Sequence, residues 1–150
     1  MSTVLAIDPG FLNFGWALVD TRTSELLQSG VEVMRDAADD DVATADKIVH
    51  FVLGFKPAPT MVVIENQGQS MILRAIELGT IVAFRYAGIP CKVIYAQTIK
   101  SHFNLGCHGN AENKKRAVKK IAELGYGKVV SHVADSILMA LYVVDAMNEI

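Results

Sequence analysis

The chain has 150 residues, 51% of them hydrophobic, and a formal net charge of −2. That length and apolar content suit one globular domain over residues 1–150, with its own core and no separate accessory domain. The opening residues carry no basic segment and are interrupted by Asp8, Pro9 and Gly10, which reads against a secretion signal. Arg74, Glu77 and Arg85 break the longest apolar candidate before it reaches the ~20 residues of a membrane span. The protein is therefore expected to be soluble and intracellular, its compartment open, with Cys91 and Cys107 as free thiols.

In chain order, Thr3–Ile7 and Gly15–Asp20 read as paired strands joined by a short turn-forming connection, and Leu26–Met34 as a third strand with an irregularity at Gly30. Val42, Ala45, Ile48, Val49 and Val52 repeat at helical spacing, which predicts a helix from about Asp41 to Phe55, stopped by Lys56-Pro57-Ala58-Pro59. Met61–Glu65 is a buried strand ending in an acid. Ser70 caps the next helix, whose predicted apolar face is Met71, Ala75, Leu78, Val82 and Tyr86. A fifth strand over Cys91–Tyr95, a short helix over Thr98–Phe103 and a glycine-containing loop over 104–110 follow. A basic helix spans about Glu112–Leu124, Gly125-Tyr126-Gly127 ends it, a short strand-like run comes next, and a last helix runs from Ser131, as its cap, toward Asn148. Strands first, then helices alternating with strands, predict an α/β mixed sheet flanked by helices.

A negative balance by itself argues against a nucleic-acid partner, but the charge is segregated. Acids gather at Asp36, Asp39, Asp40 and Asp41; Lys114, Lys115, Arg116, Lys119 and Lys120 lie close together, followed by Lys128. The ordinary reading of that basic run is a solvated helix face.

Asp8 and Glu65 each end an apolar strand, where an ionised carboxylate is costly without compensation. If those strands are parallel neighbours, the carboxylates stand side by side, and their repulsion calls for a shared proton or a cation. His132 and Asp135, three apart at the start of the last helix, share one helix face. Oxygen ligands with one imidazole suit Mg²⁺ or Mn²⁺, and a pair of such ions ~3.5–4 Å apart serves phosphodiester hydrolysis. Taken singly, each residue has an ordinary reading: Asp8 as a turn former, Glu65 as a strand-end residue bonding to Asn66 or Gln67, and His132 with Asp135 as a helix-start pair.

Leu5-Ala6-Ile7-Asp8-Pro9-Gly10, Gly15-Trp16-Ala17, Val63-Ile64-Glu65 and His132-Val133-Ala134-Asp135-Ser136 together resemble the RuvC family of Holliday junction resolvases, over nearly the whole chain. The resemblance implies an RNase H-like fold with a mixed five-stranded sheet, a homodimer, and a Mg²⁺-dependent endonuclease that nicks four-way DNA junctions symmetrically. It implies Asp8, Glu65, His132 and Asp135 as catalytic and metal-binding residues; many members carry aspartate at the position of His132, which keeps a ligand or proton-transfer role. Ile64-Glu65-Asn66-Gln67 is similar to the poxviral and mitochondrial branches. Thr98-Ile99-Lys100 and Lys115-Arg116-Ala117-Val118 resemble the lysine-bearing segments, with Lys115 as first choice for catalysis and Lys114 next.

DNA contacts are implied for Lys100, Phe103, Lys114, Lys115, Arg116 and Lys119, with Phe103 as a stacking residue of a loop that also holds Asn104, Leu105 and His108; packing onto the preceding short helix is its alternative. The helix after Glu65 contributes to the family's dimer interface, which assigns Met71, Leu78 and Val82 to apolar contact there and predicts a close approach at Gly79. A phosphate loop at Gly125–Lys128 and zinc at His102, Cys107 and His108 fail on spacing and ligand number. A catalytically silent junction-binding protein and a single actin-like nucleotide-binding domain are the alternatives from other classes.

Overall fold

The apolar run Val4-Leu5-Ala6-Ile7 is wholly buried at the centre of a five-stranded sheet. The computed structural model describes residues 1–106 and 108–148. Its strands are β1 (Thr3–Asp8), β2 (Phe14–Asp20), β3 (Leu26–Glu32), β4 (Met61–Glu65) and β5 (Cys91–Ile94). Its helices are α1 (Asp41–Leu53), α2 (Met71–Tyr86), α3 (Ala96–His102), α4 (Asn110–Glu123) and α5 (Ser131–Asn148). The sheet order is β3-β2-β1-β4-β5; β1 pairs antiparallel with β2 and parallel with β4, and β4 pairs parallel with β5.

The period of two along each strand divides the core. Val4, Ala6, Val63 and Ile94 face α5 and α4, whereas Leu5, Ile7, Val62 and Ile64 face α1 and α2. α5 is buried on most of its circumference from Val133 to Val144, as befits a helix between the sheet and another helix. On the opposite side, Phe14, Trp16, Phe51, Phe55 and Phe84 form an edge-to-face aromatic group.

Several expectations are corrected. α2 does not bury the predicted stripe: it turns Ile76, Glu77, Thr80 and Phe84 inward and leaves Met71, Leu78, Val82 and Tyr86 exposed, at 85%, 61%, 58% and 95%. The helix is apolar on two sides, and the buried side is disguised by Glu77 and by Thr80, whose hydroxyl donates to the Ile76 carbonyl. Likewise α1 buries Thr44, Ile48 and Val52 while Val42 and Val49 stay exposed. Between α1 and α2 runs a groove of about 840 Å³ whose walls include Ile48, Val49, Met71, Ile72, Ala75 and Val82. Within the chain Gly79 marks no close approach, since an added methyl there meets only Ile48 Cδ1 at 3.5 Å.

β3 ends before Met34 because the Met34 and Arg35 N–H groups donate to the Phe11 carbonyl instead. The sheet irregularity lies between Leu18 and Val19, and Gly30 is needed where the Trp16 ring crosses β3, 3.0 Å from where a Cβ would stand. Ser131 is the first residue of α5; the Ala134 N–H bonds to the Val130 carbonyl, so the cap position falls to a residue with no side-chain acceptor. No strand forms at Val129–Val130. Cys91 is a free, half-buried thiol whose pKa burial raises, while Cys107 lies outside the described residues. No described helix is long and apolar enough to cross a membrane.

Candidate active site

Asp8 continues the β1 row of Val4 and Ala6, and Glu65 continues the β4 row of Met61 and Val63, so both carboxylates emerge on the face covered by α5. Ile7 is in register with Ile64, which makes Asp8 and Glu65 the next pair at the ends of two parallel strands. At that spacing the charge of Asp8 acts on the Glu65 carboxyl.

The third wall is the start of α5. Opposite Asp8 on β2 stands Gly15, and a methyl group on it would come 2.6 Å from the His132 carbonyl oxygen. Only glycine lets α5 approach the sheet so closely. The same carbonyl accepts the hydroxyl of buried Ser136 at 3.1 Å. With the helix start so placed, His132 Nδ1 lies 3.7 Å from Asp8 Oδ2, and Asp135 reaches a small cavity of about 20 Å³ shared with Glu65, Lys100, Leu105 and Asn113.

The electrostatics follow from that crowding. Burial first, and then the charges of Asp8 and Asp135, hold the Glu65 carboxyl far above the ordinary carboxylate range, against a weaker pull from Lys100. Burial and Asp8 raise Asp135 to about 7, opposed by His132, Lys100 and Lys114. The interaction with Asp8 holds the His132 imidazole above its usual pKa, against burial. Among the described residues no three His, Cys, Asp or Glu side chains meet at metal-ligand spacing. The donor set nevertheless fits a hard divalent cation: three partly buried carboxylates stand together, and burial with their mutual repulsion raises the pKa of Glu65 and of Asp135.

The remaining predicted residues divide. Lys100 lines the cavity, and the charge of Lys114 reaches both His132 and Asp135. Lys114 and Lys115 are both exposed; Lys114 stands three and seven residues before the buried Ala117 and Ile121, on the side of α4 nearer the core, and Lys115 is one residue on. Arg116 is committed within its own region, to Glu112 at 3.1 Å and the Leu105 carbonyl at 3.1 Å. Lys119 is exposed beside Glu123. Phe103 is half-buried against the core, its ring edge-to-face with His102, which is the packing alternative rather than a free stacking surface. His108 is held by Asn113, which exchanges hydrogen bonds with its backbone N–H and carbonyl.

Asn113 carries no motif that sequence reasoning would single out, and Ser136 enters only as the last residue of the His132–Ser136 motif, with no role assigned. Their signal is positional: Asn113 precedes core-facing Ala117 by one helical turn, and Ser136 follows His132 by one.

No protein-family model and no curated protein matches the chain. Solved structures do. It superposes on RuvC of Thermus thermophilus with a TM-score of 0.74 at 22% identity, covering 98% of this chain and 96% of that one. The fowlpox virus resolvase, solved with substrate Holliday junction DNA, gives 0.71 at 14% identity over 97% and 98%. The yeast mitochondrial Holliday junction resolvase Ydc2 gives 0.62 at 15% identity over 93% and 77%. The chain thus has the RNase H-like α/β fold of these structures, with a mixed five-stranded sheet flanked by helices.

Proposed function

We propose that this chain is a metal-dependent endonuclease that resolves four-way DNA junctions. One observation carries the reading: Asp8, Glu65 and Asp135 crowd onto one face of an RNase H-like sheet, where burial and mutual repulsion raise the pKa of Glu65 and of Asp135 and favour a bound cation. The fold is shared at nearly full length with Holliday junction resolvases, two of them solved with junction DNA, which supports the choice of substrate.

Asp8, Glu65 and Asp135 would hold Mg²⁺, with Mn²⁺ able to substitute, and as a pair of ions, because three carboxylates and a phosphate carry more negative charge than one divalent cation offsets. When bound, the metal supplies Lewis-acid polarisation of the phosphodiester and an activated water. His132 is the proton-transfer group: its Nδ1 faces Asp8, which favours the protonated imidazole. Lys100 and Lys114 bring positive charge toward the phosphate, Lys114 in the role that the family resemblance implies for Lys115. Lys115, Lys119 and their neighbours on α4 give that face a basic surface for the DNA backbone, while the acids of residues 36–41 lie at and before the start of α1.

A second copy of the chain covers the α1–α2 groove, since Met71, Ile72 and Val82 in its wall and Leu78 on the same helix stand exposed together. A twofold dimer gives two sites for paired nicks. The decisive assay is cleavage of an end-labelled four-way junction beside its linear duplex, in Mg²⁺ or EDTA, by wild type and Asp8→Asn. Paired Mg²⁺-dependent nicks lost in the variant with binding retained establish the reading; binding without any cut by wild type assigns a silent junction binder.

A further inference from the structure

α2 carries a carboxylate where its inward face calls for an apolar residue. Glu77 is 6% exposed, beside Ile76 and Thr80 at 4% and 0%. Glutamate is seldom buried to that degree without a hydrogen-bond partner. Its Oε1 accepts the backbone N–H of Gln67 at 2.8 Å. Gln67 in turn reaches back, its Nε2 donating to the carbonyl oxygen of Glu65 at 3.1 Å. Between them the Asn66 N–H bonds to the Ile94 carbonyl at 2.8 Å, and the Asn66 Oδ1 accepts the Gly68 N–H at 2.9 Å.

The chain leaving β4 is therefore tied on one side to β5 and on the other to α2. Gln67 itself is only half-buried, at the edge of the core, whereas the side chain that receives its N–H is held inside it. A hydrogen bond to an oxygen of a buried, helix-borne side chain does something water cannot: it fixes the position of the amide. We infer that Glu77 is a positioning residue for Glu65, anchoring Gln67 and through it the strand end that presents the Glu65 carboxylate. The role rests on the proposed reading of Glu65 as a metal ligand. Groups that orient a ligand in this way commonly influence metal affinity by about 10–100-fold.

The test uses the whole protein and Mn²⁺ alone, with affinity measured by calorimetry without DNA, and single-turnover junction cleavage in parallel. Glu77→Ala is expected to weaken Mn²⁺ binding about tenfold or more, while junction affinity in EDTA stays within about twofold. Glu77→Gln, which keeps an oxygen for the Gln67 N–H, should restore Mn²⁺ affinity to within about threefold of wild type. Should Glu77→Ala fail to fold, Gln67→Ala cuts the link to Glu65 while leaving Glu77 its backbone partner, and it should lose Mn²⁺ affinity in the same way.

Unchanged Mn²⁺ affinity in either folded alanine variant overturns the proposal, as does a Gln variant no better than Ala. Mn²⁺ binding by wild type without junction cleavage would defeat the functional reading, yet the Mn²⁺ series would still decide the role of Glu77. A wild type that binds no Mn²⁺ ends both.

Discussion

Gly15 on β2 and His132 on α5 touch backbone to backbone: a methyl group on Gly15 would stand 2.6 Å from the His132 carbonyl oxygen and 2.9 Å from its Cβ. Neither neighbour is the free end of a flexible side chain, so Gly15→Ala must move the start of α5. His132 and Asp135 move with it. The expected outcome is a loss of cleavage of about tenfold to a hundredfold, with about 1–3 kcal/mol of stability lost to overpacking. Thermal unfolding with single-turnover kinetics checks both; a variant that cuts at the wild-type rate would sink the idea that this close approach sets the site.

Asp135→Asn should stabilise the metal-free protein at pH 8. The folded-state pKa of Asp135 is raised to about 7 from the ordinary carboxylate value. A raised pKa contributes stability that is complete below the unfolded-state value and is lost as pH rises to about 7. At pH 8 the wild type therefore stands at the bottom of that loss, and an uncharged amide escapes it. At one pKa unit per 1.36 kcal/mol, and discounting for relaxation, the gain is about 2 kcal/mol. It should shrink toward pH 4. Mg²⁺ should raise the melting temperature of wild type and leave the variant nearly unmoved. Equal stability of the two proteins at pH 8 would refute the repulsion argument.

Metal affinity should rise with pH across the same window, because Asp135 must give up its proton to the cation. Calorimetry of Mn²⁺ binding between pH 6 and 8, in buffers of different ionisation enthalpy, should record proton release at the lower end and less at the upper. Proton release that does not change between pH 6 and 8 would remove Asp135 from the ligand set, since Glu65, held above that window, gives up its proton to the cation throughout it.

The two neighbouring lysines should separate by phenotype. Lys114→Ala is expected to slow single-turnover cleavage about tenfold or more, as befits a charge acting at the reacting group. Lys115→Ala should leave that rate near wild type and weaken junction binding, with a salt slope smaller by about 0.9 for each phosphate that is no longer neutralised. The reverse pattern would return Lys115 to the catalytic role.

Leu78→Asp or Val82→Asp should dissociate the proposed dimer, read by sedimentation, without unfolding the chain, since both side chains are already exposed at 61% and 58%. Gly79→Ala meets only Ile48 Cδ1, and it should stabilise α2 by up to about 1 kcal/mol through helix propensity. Aspartate variants that remain dimeric place the interface elsewhere.

The sequence alone determined where the strands run and that Asp8 and Glu65 end two of them. Apolar runs closed by an acid are local signals, and the two-residue period assigns each carboxylate to a face once one neighbour's side is known. His132 and Asp135 were legible together for the same reason, being one helical turn apart. Tertiary structure alone decided which of α2's two apolar sides is buried, that Glu77 points inward, that the charge of Lys114 acts on His132 and Asp135, and that Gly15 lies against His132. Each of these depends on how elements distant in sequence pack: periodicity gives a helix its faces, but only the surface it meets selects which one is hidden.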